Sequence, residues 1–237
     1  MYSKLQFTST KNLQVIERQK PAGKFVNVDT STLPGLERAR NMQLIKSELA
    51  QTIATGHFQE GSELFASDIV HHARWFGIFR HPVQRAESAY NYMNAMNVWQ
   101  SNPKINSIED YANSDQVESN WMIRYLVGKK SGDVGINELN MAKEIVRKKM
   151  VVGLYSEIGT SLDRFFHYFN FGPVGEEQRQ CVNRLLHDVK VGESMNNNPI
   201  PEGSRVWNRF LVVNNWDMKL YEYVQQLFVE QQALIHK

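Results

Sequence analysis

Trp75-Phe76-Gly77-Ile78-Phe79-Arg80-His81-Pro82-Val83-Gln84-Arg85-Ala86-Glu87-Ser88-Ala89-Tyr90 reads as a strand, a one-residue turn and a helix. Trp75 to Phe79 is a short apolar run, fit for a strand covered on both faces. Pro82 lacks an N–H and has φ fixed near the helical value, which favours the first helical position. The residue before it is pushed out of helical geometry. Val83, Ala86, Tyr90 and Met93 then recur at helical spacing and form a core-facing stripe, while Arg85, Ser88 and Tyr92 share a different face. Ligands of open α/β sheets gather at the carboxyl ends of strands, and the free amides of a helix's first turn attract anions there. Arg80 would grip a phosphate with its planar fork, and Ser88 would add a hydroxyl donor. The alternative is that Arg80 pairs with a carboxylate and Ser88 fills a gap.

Working outward, the periodicity predicts an α/β chain. Lys24 to Val28 and Met150 to Leu154 read as further strands, which with Arg74 to Phe79 makes three. Helices are expected over Leu36–Thr55, Val83–Trp99, Asp115–Val127, Glu138–Lys149, Glu157–Phe169, Glu176–Val189 and Trp216–Leu234. Ser107 is placed to cap a helix, with Asp110 three residues on. Residues 1–23 read as irregular, and Gly192 to Ser204 as a polar loop. Strands alternating with helices imply a parallel sheet. With no repeat and no composition shift, residues 1–237 read as a single domain.

Composition narrows the function. A net charge of +2 is weak for a nucleic-acid binder. The single cysteine, Cys181, excludes an intramolecular disulfide. No apolar run reaches the roughly 18 residues of a membrane span. His71 and His72 lack a second ligand cluster, so a metal site is not expected.

Arg80-x-Pro82-x-x-Arg85-x-x-Ser88-x-Tyr90 after an apolar strand resembles the 3′-phosphate-binding motif of sulfotransferases that use PAPS (3′-phosphoadenosine-5′-phosphosulfate). His81 stands where the family usually has an acid. Asn120 to Gly128, Val151 to Leu154 with the helix through Phe169, and Asn215 to Tyr223 resemble later elements of the carbohydrate type, in the same order. The resemblance implies a P-loop-like parallel sheet flanked by helices. It implies PAPS as cosubstrate without a metal, a hydroxyl acceptor on a glycan, and Arg80 and Ser88 on the 3′-phosphate. It also implies the Golgi lumen where an anchor precedes the chain.

The family's glycine-rich 5′-phosphosulfate loop is not found. Gly23-Lys24 lacks a preceding glycine, and Gly128-Lys129-Lys130-Ser131 has Ile123 where the first glycine belongs. Lys24 to Val28 resembles a later strand of the sheet. The expectation is therefore an N-terminally truncated sulfotransferase, or a sulfotransferase-like domain that binds without catalysis. A P-loop kinase relative would need a Walker loop, and none is present.

Sulfuryl transfer needs a base for the acceptor's proton. His57, in Gly56-His57-Phe58-x-x-Gly61, occupies the interval where the resemblance places it, and imidazole titrates near neutrality. The alternative is a capping histidine at a helix end. Glu60 and Glu63 are lesser candidates. Arg124 is expected to pair with Glu118 or a nearby acid, or else to contact an anionic sugar. Ser194, Asn196 and Arg205 lie in the loop that the family places over the nucleotide.

Overall fold

In the computed structural model, Trp75–Phe79 (β3) and Met150–Leu154 (β4) form a parallel pair, with Trp75 opposite Met150 and Phe79 opposite Leu154. The structure describes residues 12–19, 22–65, 73–101, 104–170, 175–194 and 199–234. Within them the chain divides into two compact units, residues 1–73 and 74–237.

Every residue of β4 is buried, as expected of a strand covered on both faces. Its outer edge is closed by side chains instead of a strand. Gln231 accepts from the Val152 amide at 2.8 Å and donates to the Met150 carbonyl at 2.9 Å. Arg164 donates to the Val152 carbonyl at 3.3 Å, and the Ser161 hydroxyl accepts from the Leu154 amide at 2.9 Å. Buried main-chain groups must be paired, and here a helix and the chain's last turn do the pairing. Gly153 allows this approach, because a Cβ there would lie 2.8 Å from both Phe165 Cζ and Ser161 Cβ.

The helix Pro82–Ala95 (α3) follows β3. Its stripe lies as the periodicity predicts: Val83 and Ala86 are buried with Ile105, Tyr111, Ala112, Ile200 and Phe210, and Tyr90 and Met93 pack on that cluster. Ile108–Asn113 (α4) is capped by Ser107, whose hydroxyl accepts from the Asp110 amide. Trp121–Val127 (α5) is shorter than expected, because Asn120 takes the left-handed conformation with φ 48°. Ile136–Lys149 (α6), Ile158–Phe169 (α7) and Glu176–Ser194 (α8) follow. Arg205–Val213 (α9) was not anticipated, although its apolar residues recur at helical spacing. Asn215–Glu230 (α10) is the last long helix.

Two of these helices cap each other. The buried Asp217 of α10 accepts from the Met122 and Ile123 amides of α5 at 2.8 and 3.0 Å. Asn120 in turn accepts from the Trp216 and Asp217 amides at 2.9 and 3.1 Å, and its own amide reaches Asn214 Oδ1 at 3.0 Å. First-turn amides that lack intrahelical acceptors are thus satisfied from the neighbouring helix.

In the first unit, Val15–Gln19 (β1) pairs antiparallel with Ala22–Val26 (β2). Two expectations are corrected. Residues 15–19 are a strand, not irregular chain, with Glu17 opposite Lys24 and Ile16 opposite Phe25. The strand containing Lys24 pairs with β1 and does not belong to the parallel sheet. The helix expected to reach Thr55 spans Leu33–Asn41 (α1). Gln43 adopts φ 53°, its amide reaches the Arg40 carbonyl, and the Leu44 amide reaches the Ala39 carbonyl. That is a Schellman ending with glutamine in place of glycine. It sends Leu44 into a core with Val28, Leu36, Ala39 and Leu64. A short helix, Phe58–Glu63 (α2), follows. The fold class is therefore α/β, mostly helical, with one small parallel pair and one antiparallel pair among the described residues.

Candidate functional site

The register of β3 and β4 brings their carboxyl ends level, so Arg80 and Tyr155 emerge side by side. The Arg80 guanidinium carbon sits 4.5 Å from the centroid of the Tyr155 ring. Arg80 is half-buried, and its Nε is buried with no hydrogen-bond partner. Among the described residues no acid pairs with it. Two residues, not one, separate strand and helix.

His81 occupies the N-cap of α3 in extended geometry (φ −52°, ψ 130°), and its side chain does not cap the helix. Pro82 has no amide, and those of Val83 and Gln84 have no intrahelical acceptor. The imidazole lies nearly parallel to the Trp207 ring at 5.2 Å and meets Tyr221 edge-on at 5.5 Å. Burial lowers its pKa below the ordinary value, and the charge of Glu202 opposes that shift. His81 Nδ1 is buried without a partner. Tyr221 bonds Ser156, the residue after Tyr155, and burial raises its phenol's pKa.

Ser88 lies farther along α3, half-buried, and its hydroxyl has no partner among the described residues. Arg80, the open first turn of α3 and Ser88 thus run along one end of the sheet and the start of one helix. Glu87, buried on the other side of α3, accepts from the Ile200 amide at 3.1 Å and holds the chain that leads to Glu202 and α9. Tyr155, Trp207, Tyr221 and Glu87 were not read from the sequence as parts of this site. Only Tyr155 had a signal, its position just past a strand that pairs in register with the one before Arg80.

Arg85 shares Ser88's face but is committed elsewhere. Its Nη1 donates to Glu118 Oε2 at 2.8 Å and its guanidinium lies 5.0 Å from the Trp121 ring centroid. This corrects the pairing expected for Arg124, which instead donates to the Ser119 and Gly132 carbonyls at 2.9 and 2.7 Å. Gly128-Lys129-Lys130-Ser131 follows a helix, with Gly128 at φ 71° and Lys129 paired with Glu138 at 2.6 Å, so it is not a phosphate loop. Arg205 opens α9, 3.5 Å from Glu109. Ser194 ends α8, while Asn196, His71 and His72 lie outside the described residues.

In the first unit, His57 is the N-cap of α2; its side chain makes no capping bond and its amide donates to Thr55 Oγ1 at 3.0 Å. Glu60 falls in that helix's first turn. Glu63 is ion-paired with Arg40. Among the described residues no three metal-ligating side chains cluster, and no helix is long and apolar enough to cross a membrane.

No family model, curated protein or solved structure matches the chain.

Proposed function

We propose that the carboxyl end of β3 with the first two turns of α3 binds the 3′-phosphate of a PAPS-type nucleotide, in a domain of the sulfotransferase class. The observation behind this reading is the Arg80 side chain, which has a buried Nε without a partner and no competing acid among the described residues. It lies beside a helix start that no side chain caps. A phosphate monoester dianion accepts hydrogen bonds only, so such a cluster of donors suits it. Ser88 would supply the last donor.

On this reading β3 and β4 belong to a P-loop-like sheet. PAPS, when bound, supplies an activated sulfuryl group for a hydroxyl, on a carbohydrate by the resemblance stated above. His57 is the proposed base for the acceptor's proton. A second reading, a domain that binds the nucleotide without turning it over, is favoured by the sequence itself, which has no glycine-rich loop for the 5′ end.

Calorimetric titration of the full chain with adenosine 3′,5′-bisphosphate tests the site. Arg80→Ala should weaken binding by about 1.5–3 kcal/mol, the range for a hydrogen bond to a charged group. Adenosine 5′-monophosphate, which lacks the 3′-phosphate, should bind both proteins equally weakly. Equal affinity of the two proteins for the bisphosphate would overturn the assignment.

A further inference from the structure

His81 stands where the Arg80 turn meets the helix start, yet neither the strand nor the cap uses its side chain. Its surroundings are specific. Trp207 of α9 lies against one face at 5.2 Å, Tyr221 of α10 meets the ring edge-on at 5.5 Å, and Arg80 is its neighbour in the chain. The acid whose charge reaches it is Glu202, in the segment that enters α9. Tyr221 stays neutral at physiological pH, its phenol pushed further up by burial. Nδ1 is buried with no partner. A neutral imidazole donates from one ring nitrogen only, whereas a protonated one donates from both.

We propose that His81 is a proton-linked binding residue of the anion site, taking up a proton as a phosphate monoester binds beside Arg80. This rests on the phosphate reading of that site. An anion next to an imidazole favours its charged form. Burial favours the neutral form when no anion is present. The two states therefore differ in protonation, and by linkage affinity rises as pH falls through the histidine range. The indole of Trp207 supports the same change, since a cation over its face is attracted by the ring. An acid at position 81, as the family usually has, would not give this dependence.

The test uses adenosine 3′,5′-bisphosphate and the full chain, titrated between about pH 8 and pH 6, the span of an ordinary histidine. The phosphate titrates there as well, so the quantity read is the ratio of wild-type affinity to that of His81→Gln. That ratio should grow about tenfold toward the acid end, the scale of one charge-assisted hydrogen bond. Repeating the titration in buffers of different ionisation enthalpy should show more proton uptake by the wild type than by the variant. Glu202→Gln, an exposed substitution, should move the midpoint of the pH dependence to lower pH by removing the charge that favours imidazolium. A flat ratio with binding intact in both proteins would overturn the role of His81 and leave the phosphate site standing. Failure of the wild type to bind at every pH would overturn the site reading and this inference with it.

Discussion

Asp217 makes the stability of the second unit depend on pH in a direction opposite to most carboxylates. It is fully buried, and burial pushes its pKa up to about 6 from 3.8. The Ile123 and Met122 amides and the charges of Arg85 and Arg124 pull the other way and do not win. A group whose folded pKa lies above its unfolded one adds stability that is complete below the unfolded value and is lost as pH rises through the folded one. The shift of roughly two units corresponds to about 3 kcal/mol, at 1.36 kcal/mol per unit. Asp217→Asn removes the titration. It keeps one acceptor for two amides, a cost of about 1–3 kcal/mol that does not vary with pH.

The advantage of wild type over Asp217→Asn should therefore shrink by about 3 kcal/mol between about pH 3 and pH 8. Urea unfolding followed by tryptophan emission reads the relevant unit, because Trp75, Trp99, Trp121, Trp207 and Trp216 all fall within residues 74–237. Parallel stability–pH curves for the two proteins would refute the reasoning. A wild type that gains on the variant as pH rises would show that the two amides outweigh burial.

Two further substitutions probe the closed edge of β4. Gln231→Leu leaves the Val152 amide and Met150 carbonyl buried and unpaired, and should cost about 2–6 kcal/mol in urea unfolding, at about 1–3 per orphaned group. A change within about 0.5 kcal/mol, typical of a surface site, would mean that water or another group replaces the amide. Gly153→Ala places a Cβ 2.8 Å from Phe165 and Ser161. It should cost about 1–3 kcal/mol by overpacking, with the thermal midpoint lowered accordingly, and an unchanged midpoint would refute the close approach of α7.

The elements around Arg80 were legible because each signal was local. An apolar run, a proline at the first helical position and a period near 3.6 placed β3 and α3 without tertiary information, but β3 is not covered on both faces as its apolar run suggests, since Phe76 and Ile78 are exposed. Elements failed where geometry came from elsewhere. Gln43 ends α1 in a conformation that sequence reading assigns to glycine. Asn120 breaks the helix expected from Asp115 because Asn214, Trp216 and Asp217, far along the chain, hold it left-handed. The site divides the same way. Arg80 and Ser88 were singled out as candidates from spacing, whereas Trp207, Tyr221 and Glu202 reach His81 only through the packing of α9 and α10. The Arg85–Glu118 pair was missed because helical spacing says which face a side chain takes and not which loop covers that face.

The closed edge of β4 bears on the site as well as on stability. In a parallel pair alternate residues face the partner, and here Met150, Val152 and Leu154 turn their main-chain groups away from β3 toward Gln231, Arg164 and Ser161. Among the described residues the sheet therefore ends at β4 on that side. Arg80 then sits at the end of β3, with Tyr155 fixed on one flank by the register. Ligands of parallel sheets collect at such carboxyl ends between neighbouring strands.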